Sequence, residues 1–276
     1  MNRRSLSYIT LAAILGGIML SVLYVNPYSG VINLSELILQ LSGSRGSFAL
    51  GFSLLELVDF NIRLVPSLIV EQYLGLSFYH HFCTASVYVF SRCPKRTKWY
   101  VKECLSLWGG VCLFESMELI FVLIVALIRY QVLWDTAGVA LLLYHFVLFS
   151  LWLFLMSMGI NLLAIYCGSG SAFASVAVIQ VFFVTLLGCE DMAERYWNIN
   201  IQPEGALLNW NLAAHLVLGW QHSSLEKIDQ ALHSPYETMG LNDSVLIYFC
   251  ICLVIFVLGA AIVNRHDLLL SDVEMG

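Results

Sequence analysis

Glu115 and Glu118 stand three residues apart inside one apolar run, Leu105 to Ile128. On a helix that spacing puts both carboxylates on one face. A charge at the centre of a bilayer costs about 2.5–3.5 kcal/mol on insertion scales, so such residues turn toward protein or water, away from lipid. His145, within the next apolar run, is the candidate partner. The plain role for these three is glue between helices. The functional ones are the lining of a polar substrate path and proton coupling. Asn161 and Gln180, also surrounded by apolar residues, read as interhelical hydrogen-bonding side chains.

Other chemistry-bearing patterns point less far. His80-His81-x-Cys83 lacks a third spaced ligand, and adjacent histidines diverge on a helix, so interfacial packing is expected there rather than a metal. The eight cysteines form no CxxC pair and mostly lie in or beside apolar runs, as small packing residues do. Gly168-Ser169-Gly170-Ser171 has no strand before it and reads as a tight turn. Glu190-Asp191-Met192-Ala193-Glu194-Arg195 resembles the paired-acid signature of CAAX-type intramembrane proteases, with Asp in the second place. That resemblance implies water activation by the acids with histidines on later spans. Here the following histidines, His215, His222 and His233, fall in a polar loop, and the plain reading is a charge cluster at a helix end.

The elements that must hold these residues follow from composition. The chain has 276 residues, of which 59% are hydrophobic and 12% charged, against about 25% charged in soluble domains. Its mean hydropathy is +0.81. The apolar residues come in long blocks, and about 20 of them at 1.5 Å per residue cross a bilayer core. Six blocks qualify as spans, near residues 5–25, 60–79, 105–128, 137–166, 173–188 and 245–263. The second is the least clean: Pro66 lies in its early turns, and the run Phe48 to Val58 competes with it. The first has a basic start but no small-residue cleavage site, so it reads as a retained span. The expected fold is an all-α, multi-pass membrane protein forming one domain over residues 1–276.

Lysine and arginine placement orients it. Arg3, Arg4, Arg92, Lys95, Arg96, Lys98, Lys102 and Arg265 fall on one side of six spans, which the positive-inside rule makes the cytoplasm, with both termini. Two outer loops, residues 26–59 and 189–244, face the other way. The first carries a short apolar stretch, Val31 to Leu41. The second holds eight acids against two bases between Glu190 and Asp243. With short amphipathic helices within residues 205–232 it reads as an ordered extracellular cap, whose acids Glu204, Glu226 and Glu237 would draw cationic peptides. Trp197, Trp210 and Trp220 suit a water–lipid boundary. Net charge −6 offers nothing to nucleic acid.

Between the second and third spans, residues 78–104 read as an interfacial helix, a turn at Cys93-Pro94, and a basic-aromatic entry into the third span. Lys and Arg there hold lipid phosphates while Trp99 and Tyr100 sit at headgroup depth. The run Arg92, Arg96, Lys98, Trp99, Tyr100, set in this six-span layout, resembles the small permeases of the ABC type-2 exporter class, most closely those of bacterial peptide-antibiotic export and immunity systems. The resemblance implies that the inner segment, with Lys95 and Lys102, docks on two copies of a separate ATP-binding subunit. It also implies a second permease copy or homologue beside this one. No Gly-x-x-x-x-Gly-Lys-Ser/Thr motif occurs, so the expected chain is a transport subunit, not an enzyme, with ATP and Mg in the partner and no cofactor of its own. A non-catalytic immunity or sensor protein is the alternative.

Overall fold

A computed structural model describes residues 3–27, 29–43, 54–88, 96–188, 196–197, 208–232 and 239–265. Among these the regular structure is helical except for one pair of three-residue strands and an isolated bridge between His222 and Gly240. The order is α1 (Arg3–Tyr24), β1 (Val31–Asn33), α2 (Leu34–Leu41), α3 (Leu54–Tyr88), α4 (Arg96–Arg129), β2 (Gln131–Leu133), α5 (Thr136–Cys167) and α6 (Ser169–Leu186). Three 3₁₀ turns follow (Leu208–Trp210, Leu212–Leu216, Leu218–Trp220), then α7 (Glu226–Leu232) and α8 (Leu241–Arg265). Five helices are long and apolar enough to cross a membrane: α1, α4, α5, α6 and α8. With 35 residues, α3 is the longest described helix, but it mixes Asp59, Arg63, Glu71 and Gln72 into its apolar positions.

The long helices alternate in direction. Tyr73 of α3 meets Ser5 of α1, and Tyr24 of α1 donates to the Asp59 carbonyl of α3, so these two run antiparallel. At the middle of α1, Gly16 and Gly17 bring it against α3 and α4. A Cβ on Gly16 would stand 2.8 Å from Pro66 Cβ, and one on Gly17 2.9 Å from Phe121 Cβ. Small residues at such crossings let backbones approach in a medium that offers no hydrophobic drive between helices. Along the centre runs α5, packed by α2, α3, α4, α6 and α8. The buried side chains around it include Trp152, Tyr100, Tyr248, Phe78 and Phe114. One end of the bundle therefore carries the starts of α1 and α4, the α5–α6 turn at Gly168 (φ +80°), and the ends of α3 and α8. Among the described residues it holds Arg3, Arg4, Arg96, Lys98, Lys102 and Arg265, and we call it the basic end.

At the other end Asp135 ties two elements together. Its Oδ2 accepts from the Gly138 N–H at 3.0 Å, capping α5, and its Oδ1 accepts from the Ser35 N–H at 3.0 Å at the start of α2. Helix amino ends leave unpaired N–H groups, and one carboxylate here serves two helices. Beside it β1 and β2 pair in parallel, Ile32 opposite Val132.

Several expectations change. Helix α3 does not stop at Tyr79 but continues to Tyr88, so the first half of the inner segment is part of this helix rather than a separate interfacial one. After Pro66 no proline occurs before Pro94, and continuing the ladder through Gly75 is favoured over stopping it. Backward, α3 absorbs part of the competing run at residues 48–58. The apolar stretch 31–41 is β1 followed by α2, which buries Leu34, Leu37, Ile38 and Leu41 and exposes Glu36. Ser169–Ser171 open α6, leaving Gly168 alone as the turn. In the segment before α8, 3₁₀ turns replace most of the expected amphipathic helix. Trp220, expected at the boundary, is buried, whereas Trp197 and Trp210 are exposed.

Candidate functional site

Three carboxylates from two helices gather within the bundle. Glu71 on α3 and Glu115 and Glu118 on α4 are all buried. Glu115 and Glu118 stand one turn apart on α4, and α3, which carries Glu71, packs against that helix. The Gln180 amide of α6, itself buried, donates to Glu71 Oε2. Glu118 turns toward α1, where Gly16 leaves room for its Oε1. Among the described residues no hydrogen bond reaches Glu71 Oε1, Glu118 Oε1, Gln180 Oε1 or either carboxylate oxygen of Glu115, and no described group of His, Cys, Asp and Glu is arranged to hold a metal ion.

The expected pairing with His145 does not form. No hydrogen bond or ion pair joins it to Glu115 or Glu118 among the described residues. Its ring stacks on Phe149 one turn on, with centroids 4.2 Å apart. The cluster recruits Glu71 instead, a residue the sequence reading passed over. Its signal was present: Glu71 follows the apolar run Leu68-Ile69-Val70, the criterion that singled out Glu115. Asn161 behaves as expected, donating to the Leu74 and Ser157 carbonyls at 3.0 and 2.8 Å and accepting from the Tyr79 N–H at 3.0 Å.

The basic end is built on the first turns of α4. Lys98 and Lys102, four residues apart, share an exposed face. On the opposite face Tyr100 is fully buried: its ring lies 5.3 Å from Phe256 and 5.7 Å from Phe78, and its hydroxyl donates to the Phe256 carbonyl at 2.9 Å. Trp99 packs on Phe78 at 5.3 Å. Asn264 Nδ2 donates to Thr97 Oγ1 at 3.3 Å. Arg96 is half-buried at the helix start. Arg92 and Lys95 lie outside the described residues. So do Glu190, Asp191, Arg195, His233, Glu204 and Glu237; Glu226 is exposed on the first turn of α7. Compared with known protein families, curated proteins and solved structures, the chain matches none. What it does must therefore be read from its own geometry.

Two further polar sites emerge only in three dimensions. His215, in the 3₁₀ segment, sets Nδ1 2.8 Å from Ser244 Oγ of α8 and Nε2 3.1 Å from the Asn209 carbonyl. Since a carbonyl only accepts, Nε2 carries a proton, and the single Ser244 hydroxyl proton has both Nδ1 and the Gly240 carbonyl, at 3.0 Å, as acceptors. Burial lowers the His215 pKa, and the Asn209 hydrogen bond opposes this only in part. Both ring nitrogens are thus spent on packing this segment to α8. At the other site Arg63 of α3, 7% exposed, donates to Asp59 Oδ2 from Nε and Nη2 at 3.1 and 2.8 Å. It also donates to the Gln40 and Leu41 carbonyls, and its guanidinium covers the Tyr24 ring at 3.6 Å. These contacts join α1, α2 and α3.

Proposed function

We propose that this chain is the membrane-spanning permease subunit of an ABC exporter, moving an amphipathic or peptide substrate with ATP and Mg handled by a separate subunit. One observation carries the reading: α4 runs unbroken from the exposed Lys98–Lys102 face into an apolar span, 34 residues or about 51 Å in all. Its first turns are braced on α3 and α8 through Tyr100 and Trp99. A rigid rod with a charged, solvent-facing end and a membrane-buried middle is what a docked motor protein needs to move the bundle.

In this reading α3 serves as a sixth span. Its charged residues are tolerated because the buried Arg63 pairs with the half-exposed Asp59, and Glu71 is met by Gln180 inside the protein. Six crossings bring both termini to the cytoplasmic side with the basic end, and the segment between α6 and α8 becomes an extracellular cap with Glu226 facing water. Two ATP-binding subunits and a second permease copy complete the transporter.

The test is co-purification with the ATP-binding protein encoded by the neighbouring gene. Lys98→Glu combined with Lys102→Glu should abolish its association and coupled ATP hydrolysis while the variant still elutes as a folded particle. Unchanged association and coupling would refute the docking assignment. Labelling of a cysteine placed at Lys98 from outside intact cells would refute the topology as well.

A further inference from the structure

The seam between α1 and α3 has two contrasting halves. At the basic end a pocket of about 400 Å³ is lined by Ser5, Gln72, Ser77, His80, His81 and Glu103. His81 Nδ1 stands 3.0 Å from Glu103 Oε2, and the Glu103 side chain is only 17% exposed. Further along the same two helices a groove of about 200 Å³ is lined almost wholly by apolar groups, among them Leu11, Leu15, Met19, Val65 and Ile69. Tyr8 and Tyr73 mark the junction. Tyr8 lines the groove and Tyr73 the pocket, with ring centroids 4.8 Å apart. From Ser5 to Met19 the seam covers about 21 Å at 1.5 Å per residue, enough for a headgroup and most of one leaflet's acyl depth.

We propose that this seam binds a phospholipid whose headgroup carries a primary ammonium, from the leaflet at the basic end. The polar pocket takes the head, and the groove beyond the Tyr8–Tyr73 pair takes an acyl chain. The assignment follows from complementarity. The Ser5 hydroxyl and the Gln72 amide supply donors suited to a phosphate, while the Ser77 hydroxyl donates to the Leu74 carbonyl at 2.9 Å and His81 Nδ1 faces Glu103. Glu103 supplies the one carboxylate, its second oxygen being the natural acceptor for an ammonium. A purely anionic head would meet that carboxylate with like charge. A quaternary head has no N–H to donate. A water-soluble ligand would leave the groove unfilled. The inference needs only that the chain lies in a membrane, and stands whether or not an ATP-binding partner exists.

The test uses the full chain, delipidated in detergent and reloaded from mixed micelles of phosphatidylethanolamine, phosphatidylcholine or phosphatidylglycerol with identical acyl chains. Lipid retained per protein is read by native mass spectrometry. Phosphatidylethanolamine should be retained about tenfold over the other two, the size of one charge-assisted hydrogen bond. Glu103→Gln should remove that preference while leaving the protein monodisperse. Leu15→Trp, which fills the groove, should lower retention of all three lipids without changing their order. Free phosphoethanolamine should not compete. Equal retention of the three lipids, a preference that survives Glu103→Gln, or competition by the free headgroup would each overturn the proposal.

Discussion

Gln180 of α6 donates its side-chain amide to Oε2 of Glu71 on α3, joining two helices 109 positions apart in a part of the bundle where neither group is exposed. An unmet carboxylate there bears its full desolvation penalty, so the amide matters more for what its loss would leave behind than for the bond itself. Gln180→Leu should therefore destabilise the protein by about 1–3 kcal/mol. Glu71→Gln, which keeps an acceptor for Gln180 and removes the acid, should be at least as stable as the parent. Thermal unfolding in detergent distinguishes the two, and a harmless Gln180→Leu would remove the bond from any structural role.

Asp135 is a second point where one side chain serves two elements. Asp135→Ala should cost about 1–2 kcal/mol through loss of the α5 cap and of the Ser35 contact. Asp135→Asn, with one carbonyl oxygen in place of two, should fall between. The ranking is read from melting temperatures, and equal values for all three would show that water replaces the carboxylate.

The contact of α1 with α4 depends on the missing side chain at Gly17. Gly17→Leu drives a branched side chain into Phe121 and the α4 backbone, an overpacking expected to cost about 1–3 kcal/mol or to displace α1 outright. A cysteine pair placed across this crossing should cross-link in the parent and fail to do so in the Gly17→Leu background.

His215 makes stability depend on pH. Its folded pKa lies below the ordinary value of 6.5 because burial disfavours the cation. Below about pH 6.5 the unfolded chain binds a proton that the folded one refuses, so stability falls as pH drops from there and levels only beneath the folded pKa. Above that window the residue contributes no pH dependence. His215→Gln should flatten this part of the melting-temperature profile between about pH 7 and pH 5. A parent profile identical to the variant's would contradict the buried neutral imidazole.

The helices that cross were legible because apolar runs are local. Leu105 to Ile128, Ala137 to Tyr166 and Val245 to Val263 needed no partner to be recognised as membrane-length, and each lies within a helix of the structure. The basic and aromatic residues at the start of α4 were likewise visible as a run. The continuity of α3 was not, because its charged residues interrupt the apolar pattern, and only packing decides which of them are tolerated.

Partnerships were beyond reach for the same reason. His145 was a possible partner for Glu115 and Glu118, yet the fold stacks it on Phe149 and buries Glu71 on the adjoining α3. Composition and the length of its apolar blocks thus determined that this chain has helices long and apolar enough to cross a membrane, because transfer from water to hydrocarbon is a property of each segment alone. The tertiary structure decided which buried polar groups meet, because that depends on helix rotation and crossing, set by close contacts such as those at Gly16 and Gly17.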